Sequence, residues 1–318
     1  MTVDSLSDLT PGERAHELAA VVALVRSGAH SRRSIGALVD EFGSAVRLIQ
    51  LTEDHRLFAT PDASHEIVGL VKMEHVRQAL ADVARWTDRA LDVRSVLDAS
   101  YPSELREIFN RPPLVFVLGE WGAIQTAPSI AVVGARKASA EGLATARRFA
   151  TELSAAGFTI LSGLATGIDA AAHSAALDAG GRTAAVMGTG VDRVYPGENA
   201  ALAKRILNLG GALISQFFPE QPPTQWTFPM RNVVMSGLAM ATVVIEASET
   251  SGARIQARVA LQHGRTVFLL ESLVESHEWA RKFATEGAYG TRAITVRSPH
   301  EIGDLLRTSP LSDHLAVA

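Results

Sequence analysis

The spacing of hydrophobic positions changes near residue 129 of the chain. Before that point, apolar residues recur every three or four positions, which is typical of a helix with one apolar face. The first such helix is predicted from Leu18, Val21, Val22, Leu24 and Val25. Further helices are predicted over residues 34–51, with a break near Gly43, and over residues 75–89. The N-terminal part of the chain is therefore expected to be helical.

From residue 129 onward, short apolar runs rich in β-branched residues alternate with alanine-rich stretches. The apolar runs predict strands over residues 130–133, 159–162, 183–187, 212–215, 242–246 and 266–270. The stretches between most of them predict helices over residues 141–155, 169–179, 199–209 and 251–263. This alternation indicates βαβ crossovers, and strands that are apolar throughout are covered on both faces. We therefore predict an α/β fold with a doubly wound, mostly parallel, Rossmann-like sheet.

The composition narrows the function classes only slightly. The 318-residue chain has no cysteine, which excludes disulfides and thiolate zinc sites, and we expect no metal site. The polar N-terminus is unlike a signal peptide, and no apolar run approaches the roughly 20 residues of a membrane span, so a cytoplasmic protein without a membrane partner is expected. The net charge is −4, but residues 128–270 hold 12 Lys and Arg against 9 Asp and Glu, so the strand-rich region is mildly basic.

Glycine-rich loops follow three of the predicted strands. They carry Gly134, then Gly163 and Gly167, then Gly188 and Gly190. The carboxyl ends of parallel strands hold the ligand crevice of an open α/β sheet, and glycine lets the backbone approach a phosphate. One such loop alone would be a tight turn, but three together predict an anion or nucleotide site. Neither a P-loop nor a GxGxxG motif is present, so no ATP or NAD cofactor is expected.

A series of motifs in this region resembles the DprA/Smf family. The motifs are AVVGARKASAEG (131–142), SGLATGIDAAAH (162–173), GTGVDRVYPGEN (188–199), FPMRN (228–232), SGL (236–238), SGA (251–253) and GRTVF (264–268). Upstream, YPSELRE (101–107) and PPLVFVLG (112–119) also fit the family, and the segment around Gly28 is similar to its helix-hairpin-helix-like part. We expect a small N-terminal helical domain (helix-hairpin-helix/SAM-like) over residues 1–100, a Rossmann-like domain over 101–310 and a tail over 311–318.

The resemblance implies a non-enzymatic protein that binds single-stranded DNA in a basic pocket. It also implies a homodimer that loads RecA during recombination and natural transformation (competence), without catalytic residues. By position, Arg136 would contact a backbone phosphate, Ser162 would help to bind another, and Phe228 would stack on a base. The implied binding residues are Gly134, Arg136, Lys137, Ser162, Gly163, Gly167, Gly188, Gly190, Phe228, Arg231 and Asn232.

Some residues near these motifs also have purely structural interpretations. Phe228 follows two prolines and Trp226 in a segment predicted to be an irregular loop, where its ring would plug the core. Asp169 is expected to cap the N-terminus of the following helix. His173 lies on an alanine-rich helix and is expected to be a packed histidine rather than a catalytic base.

The sequence departs from the family pattern in three places. Val233 replaces a second arginine after Asn232, and Arg254, Ile255 and Gln256 replace the usual Leu-Ile-Thr. The segment after residue 270 is acidic, with glutamates at positions 271, 275 and 278. The resemblance implies that Val233 removes a cation near the pocket, and that the acidic segment falls in the part that the family uses for its dimer and RecA surfaces.

The departures keep a second hypothesis open. It is a nucleotide-binding accessory protein of a phage-defence or toxin–antitoxin system, with a toxin or defence partner. Cleavage of an N-glycosidic bond is disfavoured, because the chain lacks the ProGlyGlyxGlyThr run of the related phosphoribohydrolases.

Overall fold

The computed structural model describes residues 9–28, 35–53, 71–122 and 127–308. The chain divides into two compact units, Met1–Phe116 and Val117–Ala318. The predicted tail over residues 311–318 lies outside the described residues, and so do residues 29–34 of the segment predicted to resemble a hairpin.

The first unit is mainly helical. Its elements are α1 (Pro11–Arg26), α2 (Ile35–Phe42), α3 (Ala45–Glu53), α4 (Met73–Asp88), β1 (Asp92–Ser95) and α5 (Ser103–Arg106), followed by β2 (Leu114–Gly119), which continues into the second unit. Helix α1 begins with a capping box in which the Thr10 hydroxyl accepts from the Glu13 amide, and the Glu13 carboxylate accepts from the Thr10 amide.

The core of the first unit forms around α1. Residues 19–24 of α1 are all buried, so this helix is enclosed on more sides than the single predicted face. The predicted helix over residues 34–51 is broken at Gly43, where α2 ends and α3 begins two residues later. The Glu17 carboxylate of α1 caps α3 by accepting from the Ser44 hydroxyl and the Ala45 amide.

The second unit contains a parallel sheet with the strand order β6-β5-β4-β3-β7-β8-β9. The strands are β3 (Ser129–Val133), β4 (Thr159–Ser162), β5 (Thr183–Val186), β6 (Ala212–Ser215), β7 (Ala241–Val244), β8 (Thr266–Leu270) and β9 (Ile294–Val296). The chain runs outward from β3 through β6 and then returns to place β7 on the other side of β3. This order is that of a doubly wound sheet, and the predicted fold class is confirmed.

Helices connect these strands. They are α6 (Ala140–Ala155), α7 (Ile168–Asp178), α8 (Ala200–Asn208), α9 (Thr227–Leu238), α10 (Gly252–Gln262), α11 (Glu271–Ser276), α12 (Glu278–Thr285) and α13 (Pro299–Thr308). Strands β4 to β7 are buried at every position, as the continuous apolar runs predicted. Strand β9 was not predicted, because Ile294 and Thr295 are exposed at the sheet edge and leave no apolar run.

The strand order also fixes where a ligand can lie. Strand β3 has β4 on one side and β7 on the other, and the chain winds in opposite directions from this point. Loops that leave the carboxyl ends of β3, β4 and β7 therefore diverge and leave a crevice between them. The site is built at this edge of the sheet.

Candidate nucleic-acid interface

Two clefts open in the second unit at the carboxyl edge of the sheet. The larger has a volume of about 540 Å³ and lies between the loop after β3 and the loop that joins β7 to α10. The smaller has a volume of about 230 Å³ and lies beside the loop after β4 and the Tyr195–Pro196 turn. Arg136, Phe228 and Arg231 line both clefts, so these three side chains form their common wall.

Phe228 and Arg136 are in contact on this common wall. The Cζ atom of Arg136 lies 5.2 Å from the centroid of the Phe228 ring, a cation–π distance. The Tyr195 ring lies on another side of Phe228, with 5.8 Å between the ring centroids. Arg136 and Tyr195 are exposed and Phe228 is half-buried, so all three side chains can reach a ligand.

The backbone around Phe228 differs from the prediction. Phe228 lies in the first turn of α9, whereas an irregular loop was expected. Pro229 is tolerated there because the amides of the first helical turn have no partner within the helix. The ring lies over Gly188, where a Cβ atom would be 2.5 Å from Cδ1 of Phe228. Gly188 therefore seats the ring and does not itself line either cleft.

Arg231 is a buried cation held in a fixed position. Only 8% of its surface is exposed, yet it lines both clefts. Its Nη1 atom donates to the Val186 carbonyl at 2.9 Å, and its Nε atom donates to Oδ1 of Asn232 at 3.1 Å. The guanidinium lies against Gly163, since a Cβ atom there would be 1.7 Å from Nη1. Burial lowers the pKa of Arg231, and the nearby Asp169 carboxylate opposes this shift.

Asp169 braces the loop after β4. Its buried carboxylate accepts from the backbone amides of Gly163 at 3.1 Å and Ala165 at 3.3 Å. Burial raises the pKa of Asp169, and the charge of Arg231 opposes that shift. The prediction that Asp169 caps the next helix was wrong, because α7 begins after Gly167, which has a φ of +78°. Asp169 is inside the first turn and bonds back to the loop.

Several predicted residues lie behind the clefts. Ser162 is fully buried and its hydroxyl donates to the Val132 carbonyl at 2.6 Å, so this hydroxyl is not available for a phosphate, in contrast to the prediction. Gly190 lies under the Phe218 and Pro219 carbonyls, and Gly167 under the Ala135 carbonyl. These positions shape the loops. Seven of the predicted residues line a cleft directly: Gly134, Arg136, Lys137, Gly163, Phe228, Arg231 and Asn232.

The far wall of the larger cleft was not predicted from the sequence. This wall comes from the loop after β7 and from α10, and includes Glu246, Ser248, Thr250, Ser251, Ile255 and Gln256. The Glu246 carboxylate accepts from the Ser139 amide at 3.1 Å and from the Ser139 hydroxyl at 2.6 Å, which ties this loop to the start of α6. The rule that placed the three glycine loops also applies to the loop after β7, and would have found this wall.

The departures from the family pattern lie mostly outside the clefts. Val233 lines neither of them, and Arg254 pairs with Glu249 at 3.1 Å. The acidic segment is partly neutralised, because Glu271 pairs with Arg297 at 2.5 Å and Glu278 pairs with Lys282 at 2.9 Å. Ile255 and Gln256 are the replaced residues that line the larger cleft.

His173 is a packed histidine, as predicted. It is fully buried, and its Nδ1 atom lies 2.7 Å from the Thr183 hydroxyl. That hydroxyl donates to the Ile160 carbonyl, so the Nδ1 atom of His173 donates to the hydroxyl. Burial lowers the pKa of His173 to about 3.

The described ranges contain neither a membrane-spanning helix nor a candidate metal cluster. Between residues 9 and 308, outside the three internal gaps, no helix is long and apolar enough to cross a membrane. The same ranges contain no group of three His, Asp or Glu side chains placed to hold a metal ion.

Comparison with known proteins decides the family. Residues 92–302 match the family model for DNA recombination-mediator protein A. The chain belongs to the DprA/Smf family. Protein Smf from Escherichia coli K12 is 40% identical over 207 residues, which are 64% of this chain and 53% of that protein. The DNA processing protein DprA from Bacillus subtilis is 34% identical over 186 residues, 58% of this chain and 62% of the relative. The chain thus spans just over half of these DprA/Smf relatives.

Solved DprA structures share the fold. The X-ray structure of DprA from Streptococcus pneumoniae superposes with a TM-score of 0.70 at 29% identity, covering 90% of this chain and 96% of that one. DprA from Helicobacter pylori, whose structure is described for its single-stranded DNA binding mode, superposes with a TM-score of 0.60 at 21% identity, covering 70% of this chain and 96% of that one. The second likeness concerns the fold alone.

Proposed function

We propose that the second unit binds single-stranded DNA along the two clefts and that the protein acts in DNA processing and recombination in the cytoplasm. The observation that carries this proposal is the contact of Arg136 with Phe228 on the wall shared by the clefts, at a Cζ-to-centroid distance of 5.2 Å. A cation beside a half-exposed aromatic ring matches the alternation of phosphate and base along a single strand.

The cations that line the clefts are suited to phosphates. Arg136 and Lys137 are exposed on the loop after β3, and Arg231 provides a buried cation between the clefts. The site is preorganised, because Arg231 is already held by Val186 and Asn232 before a ligand arrives. Gly134 lets this loop lie close to the start of α7, since a Cβ atom there would be 2.5 Å from Cγ1 of Ile168.

The aromatic rings favour an unpaired strand. Phe228 is half-buried over Gly188 and Tyr195 is 44% exposed beside it. Stacking of a base on such a ring contributes about 1–3 kcal/mol and tolerates any base. A duplex keeps its bases stacked on each other, so this contribution is available only to single strands.

Family membership supports three further proposals. We propose that the protein forms a homodimer, that it loads RecA onto the bound strand, and that it serves natural transformation. Sedimentation velocity tests the first, and a solely monomeric protein at tens of micromolar would remove it. RecA ATPase activity on strands covered by single-strand binding protein tests the second, and an unchanged rate on adding this protein would remove that activity.

The binding proposal is tested by fluorescence anisotropy with a 35-base oligo-dT strand and a duplex of equal length, across a salt titration. The single strand should bind more tightly than the duplex, and its affinity should fall as the salt concentration rises. The logarithm of the binding constant should decrease with the logarithm of the salt concentration with a slope of about 0.7 per contacted phosphate. Equal binding of strand and duplex would contradict the proposal. A rise in Tm with a mononucleotide, without strand binding, would instead favour the accessory protein of a defence or toxin–antitoxin system.

A further inference from the structure

Gln256 lines the larger cleft and carries a buried side-chain amide that is unsatisfied. It lies in the second turn of α10 and lines the cleft, with 1% of its surface exposed. Neither its Nε2 nor its Oε1 atom has a hydrogen-bond partner among the described residues. Buried amides are nearly always paired, and leaving both a donor and an acceptor without partners is unfavourable. A polar group that lines a cleft in this state points to a ligand that pairs with it.

The rest of the cleft limits the chemistry of that ligand. Met235 and Ile255 provide apolar surface in the same cleft as Gln256, while Arg136 and Lys137 provide positive charge on the loop after β3. The volume of about 540 Å³ is within the range of small-ligand pockets. A matching ligand is flat and apolar on its faces, has a donor and an acceptor side by side on one edge, and carries an anion a short distance away.

A nucleotide has these features. We propose that the larger cleft holds one nucleotide, whose base pairs through its hydrogen-bonding edge with the Gln256 amide and whose phosphate lies at the loop Gly134–Lys137. The amide of glutamine matches the neighbouring N6 donor and N7 acceptor of adenine in a bidentate pair. The phosphate half of this inference rests on the proposed function, and the base half rests on Gln256 alone.

Position 256 is one of the departures from the motif that the resemblance implies. That motif has a threonine at this position, whose single hydroxyl cannot form such a bidentate pair. Gln256 would therefore let this protein hold a base by its edge, in addition to stacking another base on Phe228.

Isothermal titration calorimetry with dAMP, 2-deoxyribose 5-phosphate and inorganic phosphate separates the base from the phosphate. The wild type should bind dAMP about 5- to 150-fold more tightly than the sugar phosphate, the range for one bidentate pair. Gln256→Leu should lose this preference while its affinity for the sugar phosphate stays unchanged. Gln262→Leu is the matched control, because Gln262 is exposed at the other end of α10 and lines neither cleft.

Protein stability provides a second readout. The ligand-free Gln256→Leu protein should melt at the wild-type Tm or above it, because an unpaired buried amide has been removed. If Gln256→Leu melts below the wild type, the binding measurements are made with Gln256→Met instead, because methionine is unbranched and similar in length to glutamine. A wild type without preference for dAMP over the sugar phosphate, or a variant that keeps that preference, would overturn the inference.

A competition experiment shows whether the nucleotide in the cleft is free or part of a bound strand. Comparison with strand binding separates this inference from the proposed function. If dAMP competes with a 35-base oligo-dA strand, the cleft holds a nucleotide of the bound strand; if both bind together, the occupant is a free nucleotide. Strand binding by the wild type without base preference would refute only the role of Gln256. Absence of strand binding would refute the proposed function, while a dAMP preference lost in Gln256→Leu would still support the pocket.

Discussion

The guanidinium of Arg231 lies so close to the backbone of Gly163 that a Cβ atom at position 163 would be 1.7 Å from its Nη1 atom. Arg231 cannot move aside easily, because its bonds to Val186 and Asn232 hold it in the protein interior. Gly163, in the loop after β4, thus leaves the space that the guanidinium of Arg231 on α9 occupies. Its role is to let a buried cation reach the wall between the clefts.

Gly163→Ala should therefore displace Arg231. We expect a loss of about 1–3 kcal/mol in the free energy of unfolding, as for other overpacked sites, and weaker binding of oligo-dT. Urea unfolding and fluorescence anisotropy measure the two effects. Gly197→Ala is the matched control, since a Cβ atom there would meet nothing within 4 Å. Wild-type stability and affinity in Gly163→Ala would show that Arg231 is not confined in this way.

Phe228→Ala should weaken binding of a single strand by about 5- to 150-fold, the range expected when one stacked base loses its ring. Phe228→Trp should retain most of the affinity, because the stacking surface remains. Phe109→Ala is the control, as Phe109 is 58% exposed and lines neither cleft. If Phe228→Ala and Phe109→Ala bind the strand equally well, no base stacks on Phe228.

Stability should decrease as the pH falls from about 6.5 towards 4. Burial lowers the pKa of His173 to about 3 and that of the half-buried His263 to about 4. Between these values and the ordinary pKa of about 6.5, the unfolded chain binds protons that the folded chain does not. The free energy of unfolding therefore falls with decreasing pH, by up to about 1.4 kcal/mol per pH unit for each histidine.

His173→Asn isolates one of these contributions, because an asparagine amide can still donate to the Thr183 hydroxyl. The variant should show a shallower decrease in stability between pH 6.5 and 4 than the wild type, measured by urea unfolding at several pH values. The comparison cancels the opposite effect of Asp169, whose pKa is raised by burial. Parallel pH curves for the two proteins would mean that His173 does not titrate on unfolding in this range.

The parts of the site that could be predicted are those marked by short patterns of neighbouring residues in the sequence. Gly134, Gly163 and Gly188 follow apolar strands directly, and the parallel arrangement of β3, β4 and β5 brings their loops to one edge. The resemblance to the DprA/Smf family added Arg136 and Phe228, whose contact no spacing rule would give.

The parts that were not predicted depend on distant contacts. Asp169 has the sequence context of a helix cap, yet the positive φ of Gly167 shifts the helix start and turns its carboxylate to the loop. The motif places the Ser162 hydroxyl where it was expected to bind a phosphate, but this hydroxyl donates to the Val132 carbonyl of β3 instead. The unpaired state of Gln256 can be seen only once α10 is packed against the sheet.

The most direct test of binding at the clefts compares two charge reversals by anisotropy with oligo-dT. Arg136→Glu should weaken binding by at least about tenfold, because a charge-assisted phosphate contact contributes about 1.5–3 kcal/mol and the new carboxylate repels the strand. The salt slope should also fall by about 0.7 for each lost phosphate contact. Arg147→Glu reverses another exposed arginine, which lies on α6 and lines neither cleft, and this variant should bind like the wild type. If Arg136→Glu binds the strand as tightly as Arg147→Glu, the clefts are not the DNA site.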